Sequence, residues 1–347
     1  MHRTSSCRNV RLPFLFLTLA TTVLTAGTGH AQGTFVSFDG PHAGTQQYHG
    51  TFPVAISPWG GVVLMTIGDD GVAGAYVRRP NGSYLQIQPP PGGSYPSVAG
   101  INARGQVAGA YWDSQNNELG FIRNADGTYV TVDPPGSNGQ TTIAGINDRG
   151  QVAGNAEVNG AATPFFWEPG NYVTFSVPGG TYPRAVAINN DGQIAGSYGT
   201  SNYQSYGFLR KSDGTLSSFI IAGNSSLQVN AMNNWGTIVG SSFDSNGSAG
   251  DTFLRYAGGG QKYIYGDSHG AVMPAAISDK GIVVGTDFGG DTSYGNAFSA
   301  DRNLTLTLIP VPFTAQGSTA NGVNKAGQIV GTYIDANGAS HGWIYLP

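Results

Sequence analysis

Cysteine is almost missing from this chain. The one copy, Cys7, precedes an apolar run near the start, so the rest of the chain has no disulfide, thiolate nucleophile or cysteine metal ligand. Charge is scarce too, at 10% of the 347 residues, against roughly 25% in an ordinary soluble domain. Glu stands only at 118, 157 and 168, and Lys only at 211, 262, 280 and 325. Strong helix formers for exposed faces are therefore lacking. No later window keeps an apolar stripe of helical period, so helices are not expected.

Long apolar runs are absent with one exception, Leu12 to Ala26. Arg3, Arg8 and Arg11 precede it and the small residues of Gly29-His30-Ala31 follow. This is the pattern of a secretory signal peptide over residues 1–31, cleaved after Ala31. The run falls short of the about twenty residues that span a bilayer. Losing the segment removes three Arg and no acid, which takes the formal net charge from −4 to −7. Nucleic acid and anionic membranes need a basic surface and are excluded as partners. The expected product is an exported protein, periplasmic or extracellular, with no membrane span after cleavage.

Glycine is abundant, with 54 copies beside 19 prolines. The absence of a strict three-residue glycine period excludes collagen. A hydrophobic content of 39% with 11% aromatics is too high for a disordered chain. Short alternating runs broken by Gly, Asn, Asp and Pro read as strands and tight turns.

These runs repeat. An apolar anchor before an Asn/Ser-x-x-Gly turn recurs at Ile56, Ile101, Ile146, Ile188, Met232, Ile277 and Val323, spaced 42 to 46 residues apart. Gly or Ala always precedes it, Asn or Ser follows it, and Gly stands four residues after it. An aromatic comes twenty or twenty-one residues later, at Tyr76, Phe121, Phe166, Phe208, Phe253, Phe298 and Trp343. Asn or Ser first and Gly fourth suit a type I turn between antiparallel strands. The aromatic marks a third strand, and a Gly turn such as Asp126-Gly127 leads to a fourth. Four short strands in about 45 residues make one blade of a β-propeller. The small residue before the anchor suits an innermost strand, and the aromatics fill the space between blades.

The last unit stops at Pro347 after its third strand. Thr34-Phe35-Val36-Ser37-Phe38-Asp39 matches Thr128-Tyr129-Val130-Thr131-Val132-Asp133 in residue class, position by position. The expected fold is all-β: a seven-bladed β-propeller over residues 32–347, with residues 34–39 completing the last blade and closing the ring. An open solenoid is the competing architecture, but it needs atypical capping units.

Gly100-Ile-Asn-Ala-Arg-Gly-Gln-Val-Ala-Gly109, Gly145-Ile-Asn-Asp-Arg-Gly-Gln-Val-Ala-Gly154 and Gly322-Val-Asn-Lys-Ala-Gly-Gln-Ile-Val-Gly331 resemble the HAF-type extracellular repeat of bacterial exported proteins. The resemblance implies an exported propeller and no settled activity. The His that often precedes the aromatic in such repeats stands here only in His341-Gly342-Trp343.

Chemistry is thinly written. Gly266-Asp267-Ser268-His269-Gly270 matches the G-x-S-x-G elbow, but no helix follows to support a nucleophile. His42, His49, His269 and His341 form no metal-binding spacing. Asp113, Asp244 and Asp335 recur twelve residues after their anchors, either as turn starters or as calcium loops. Arg78, Arg123, Arg210 and Arg255 stand two after the third-strand aromatic, either stacked on neighbours or reading an acidic ligand. Neither a cofactor nor a metal is expected.

Loops between second and third strands vary most, and variable loops on a rigid scaffold are where binding lives. The candidate ligand-binding residues are Tyr111, Trp112, Asp113, Tyr198, Tyr203, Tyr294, Tyr333, Asp335 and His341. Aromatics beside amides and carboxylates suit a glycan. The expected function is a monomeric, non-catalytic scaffold binding a glycan, peptide or protein partner through this loop face. The alternative is a secreted carbohydrate-active or ester-cleaving enzyme with its site at the mouth of the propeller axis.

Overall fold

The structure, a computed structural model, describes residues 33–221, 226–244, 249–265, 271–289 and 294–347, with the backbone of Val23–Thr25. Otherwise the expected signal segment, residues 1–31, lies outside the described residues, as does the Gly266–Gly270 elbow with His269. Val23–Thr25 pairs antiparallel with Thr34–Val36.

Every regular element among the described residues is a strand. Groups of four antiparallel strands recur along the chain. A representative group is Thr181–Ile188, Ile194–Gly199, Ser205–Arg210 and Leu216–Phe219, hydrogen-bonded in that order. The groups gather into five sheets, because two of the contacts between groups carry a single parallel residue pair, Gln140 with Glu118 and Ser340 with Gly50. Gly317–Val323, Ile329–Ile334 and Ser340–Leu346 form the last group. Its fourth strand is Thr34–Phe38, in the register Thr34 to Leu346 through Phe38 to Gly342. No helix among the described residues is long and apolar enough to cross a membrane.

Each anchor is the last residue of a first strand, and the turn after it forms as its sequence demands. Around Asn102, the Gly105 N–H donates to the Asn102 carbonyl at 3.1 Å. The Asn102 side-chain oxygen accepts from the N–H groups of Arg104 and Gln106, both at 3.0 Å. Gly105 has φ +76°, a left-handed conformation that glycine adopts without strain. The Asn102 amide donates to the Asn147 carbonyl of the next group at 2.9 Å. Asn147 repeats this to Asn189, Asn233 to Ser278, and Asn324 to Ser57.

The small residue before the anchor has two reasons. Each first strand is bulged just ahead of it, as between Val98 and Gly100. A Cβ on Gly100 would also lie 3.6 Å from Ile146, the next anchor. A tighter constraint sits in the second strand. Gly109, Gly154, Gly196, Gly240, Gly285 and Gly331 each face a carbonyl of the first strand where a Cβ has no room.

The third-strand aromatics form the core between groups. Phe121, Phe208, Phe253, Phe298 and Trp343 are fully buried. One assignment is corrected. In the third group the buried ring is Phe165, which pairs with Gly154 as Phe121 does with Gly109, while Phe166 is half-buried on the other face. Two adjacent Phe residues hide this one-residue difference, because strand faces alternate.

Candidate functional site

Loops between second and third strands meet the loops that join groups. The Ser340 N–H donates to the His49 carbonyl at 2.8 Å, and the Tyr48 N–H to the Gly338 carbonyl at 3.2 Å. The expected site residues divide on this face. Tyr333, Asp335 and His341 come together. Tyr111 and Tyr198 are buried, packed edge-on against Phe121 and Tyr206. Trp112 and Tyr203 are exposed, Tyr203 almost fully. Tyr294 is half-buried beside Gly317.

Asp113 is a turn residue, with Oδ1 accepting from the N–H groups of Gln115 at 2.7 Å and Asn117 at 2.9 Å. The Asn117 N–H leads in holding its carboxyl below the usual range. Asp335 does the same for Asn337 at 2.8 Å and Ala339 at 2.9 Å. These are the bonds of a turn-starting Asp at both positions.

His341 is the second residue of the third strand of the last group. Its Nδ1 lies 2.9 Å from Asp39 Oδ1 and its Nε2 3.5 Å from Asp335 Oδ2. Its ring stacks on Tyr333 at 4.9 Å, and the Tyr333 hydroxyl bonds Ser37 Oγ at 2.9 Å. The bond to Asp39 raises the imidazole pKa, against the opposing effect of burial, with Asp335 adding to the rise. Burial pushes the Asp335 carboxyl up, but its backbone donors and His341 together bring it below the usual range. Tyr333 is raised by burial, with the negative charges of Asp39 and Asp335 adding to the rise. When protonated, the imidazole ties Asp39, which follows the strand Thr34–Phe38, to the last hairpin. Its folded-state pKa lies above its ordinary 6.5, so its stabilisation is complete below about pH 6.5 and fades as pH rises through the raised value. Thermal melts from about pH 5 to pH 9 will show the wild-type midpoint falling across that window. In His341→Gln this component of the fall will be gone, and an unchanged profile would refute the assignment.

The arginines are structural where they stack. Arg78, Arg210 and Arg255 lie over Phe38, Phe175 and Phe219 at 4.7 to 5.2 Å, Phe38 supplied by the last group and the other two by the preceding group. Arg123 donates to the Asn124 carbonyl at 3.2 Å.

Two cavities stand out. One, of 390 Å³, is lined by all seven anchors and by the Asn and Asp residues of their turns. Those polar groups are largely committed: Asp279, for example, accepts from the Asn234 N–H and its amide, both at 2.9 Å. The other is a 680 Å³ cleft between a hairpin at Gly160–Thr163 and the loop that leads through Val177 to Pro183. Ala161, Thr163, Thr174, Phe175, Tyr182 and Pro183 line it, and it contains no charged side chain.

Tyr182 was not a sequence candidate, nor were the exposed Tyr48 and Tyr95. All three carry positive φ: +67° at Tyr48, +49° at Tyr95 and +48° at Tyr182. Nothing in a tyrosine announces a left-handed backbone, although the shared phrase Gly-Gly-Ser/Thr-Tyr-Pro was readable.

No family model and no curated protein sequence matches the chain. Solved structures do. Against a catalytically inactive virginiamycin B lyase from Staphylococcus aureus with quinupristin, the TM-score is 0.61 at 14% identity, covering 90% of this chain and 99% of that one. A streptogramin B lyase gives 0.59 at 13% identity, covering 90% and 98%. A puromycin hydrolase gives 0.54 at 14% identity, covering 82% of this chain and 50% of that one. Identities this low speak for fold alone. By fold, the chain is an all-β protein of the β-propeller type, built from repeated four-stranded antiparallel sheets.

Proposed function

We propose that this chain is an exported HAF-type repeat protein, a closed seven-bladed propeller that binds an uncharged glycan on its loop face without transforming it. Support for closure comes from the cavity shared by all seven anchors, the Asn324 amide on the Ser57 carbonyl, and the pairing of Thr34–Phe38 with the final strand.

The observation that carries the binding reading is the 680 Å³ cleft. Its volume lies within the range of small-molecule sites. Its lining of aromatic faces, hydroxyls and backbone suits the apolar faces and hydroxyls of a neutral sugar. With no charged side chain it offers nothing to an ionic ligand. His341 has a carboxylate beside each ring nitrogen, Asp39 at Nδ1 and Asp335 at Nε2, which engages the ring within the protein.

A glycan array run beside a hydrolase and lyase panel tests this. Retention of neutral glycans without turnover is expected, with retention lost in Tyr182→Ala. Turnover abolished by Asp39→Asn or Asp335→Asn, or retention of peptides alone, would overturn it.

A further inference from the structure

Pro91-Gly92-Gly93-Ser94-Tyr95-Pro96 and Pro178-Gly179-Gly180-Thr181-Tyr182-Pro183 lead into two first strands, Ser94–Ile101 and Thr181–Ile188. The corners match in detail. The Gly93 N–H donates to the Pro90 carbonyl and the Gly180 N–H to the Val177 carbonyl, both at 2.9 Å. Gly92 and Gly179 have φ +82° and +71°. Gly93 lies against the Tyr111 ring and Gly180 against the Tyr198 ring, too close for a Cβ. The strand register shifts just after each corner.

The tyrosines themselves are the anomaly. A bulky side chain at φ near +50° is strained, and strain of this kind persists where function requires it. Neither ring recovers the loss by packing, since Tyr95 is 74% and Tyr182 85% exposed. The intervening group is an internal control. Its corner has the same turn, with Ser137 N–H donating to the Pro134 carbonyl, and it too shifts register. Two residues past that turn, where the others carry Tyr, stands Gly139 at φ +70°. Glycine makes this backbone without strain at 139, where a Cβ would also meet the Asn117 side chain, whereas positions 95 and 182 hold exposed rings at the same backbone angle.

We infer that Tyr95-Pro96 and Tyr182-Pro183 are two copies of one sugar-stacking corner, so that the protein holds a repeating neutral glycan at two places. This rests on the glycan reading above and adds the second site and the repeating ligand. The copies differ in their surroundings. Residue 94 pairs with the exposed Trp112, whereas residue 181 pairs with Gly199 and itself lines the open cleft. Attachment at two points on one chain multiplies retention well beyond either site alone.

Glycine substitutions test this directly, because they keep the backbone and remove the ring. Wild type, Tyr95→Gly, Tyr182→Gly and the double variant are titrated calorimetrically with β-1,4-linked disaccharides of glucose, mannose and xylose. The matching polysaccharides are used in affinity electrophoresis. The bound disaccharide should have a stoichiometry of two in wild type, one in each single variant and none in the double variant. Retention of its polysaccharide should fall more than tenfold in each single variant. Melting temperatures should stay level or rise, since glycine relieves the strain. A wild-type stoichiometry of one, lost in Tyr182→Gly and unchanged in Tyr95→Gly, overturns the second site and leaves the glycan reading standing. Wild type that binds none of the six sugars overturns both. Melting temperatures that fall by several degrees with binding intact would make the rings structural.

Discussion

A chain lacking residues 33–39 will lose cooperative folding. Those residues supply the fourth strand of the last group, paired over five positions with residues 342–346. Phe35 is buried against Trp343 at 6.1 Å and Tyr345 at 5.1 Å, and Phe38 lies beneath Arg78 of the first group. Removing one buried Phe side chain costs about 3–5 kcal/mol. Losing both rings and a strand of hydrogen bonds is comparable with the about 5–15 kcal/mol that holds a whole protein folded. Ser340–Leu346 would also become a bare edge that recruits other chains. Calorimetry should show the main transition lost or moved down by more than about 10 °C, with aggregation. Phe35→Ala should retain a cooperative melt about 3–5 kcal/mol weaker. An unchanged melting temperature in the truncated protein would refute the role of this strand, and the proposed ring closure with it.

That strand was legible because Thr34 to Asp39 copies Thr128 to Asp133 in residue class. The Asn/Ser-x-x-Gly turns were legible for a local reason: one side chain and one left-handed glycine complete them. Features set by distant neighbours were not. Phe165 and Phe166 cannot be ranked until the strand pairs with Gly154. The second-strand glycines carry no sign of their role in the sequence, because each is held by a carbonyl of the bulged first strand it pairs with. Tyr333, Asp335 and His341, named from the loop pattern, do lie together. Asp39 and Ser37, their partners, lie about 300 residues away in sequence. Tyr111 and Tyr198 are buried while Trp112 and Tyr203 are exposed, a division the sequence does not mark because strand-end aromatics serve core and surface alike. Tyr95 and Tyr182 escaped because their defining property is a backbone angle.

Gly240→Val will be among the most damaging single substitutions in the chain, although it adds only an apolar side chain to an apolar strand. A Cβ at 240 would run into the Gln228 carbonyl of the first strand and lie 2.7 Å from the Phe253 ring. The ring belongs to a fully buried side chain, and the carbonyl belongs to the bulged strand whose next residue, Val229, pairs with Gly240 itself. Neither can retreat without breaking the ladder. The expected loss is above about 3 kcal/mol, at the upper end for overpacking because backbone rather than a flexible tip must move. The first group shows what accommodation requires. Leu64 occupies the corresponding position opposite Tyr76, and the nearby Gly40 leaves it space, since a Cβ there would lie 2.7 Å from a Leu64 methyl. The group that contains Gly240 gains no such neighbour from the substitution. Gly258→Ala is the control, in an exposed turn with nothing within 4 Å of the added carbon, and should change stability by less than about 0.5 kcal/mol. Chemical denaturation of both variants decides the matter. Near-equal midpoints would mean that the first strand yields, and that the second-strand glycine is not what sets the spacing between the two inner strands.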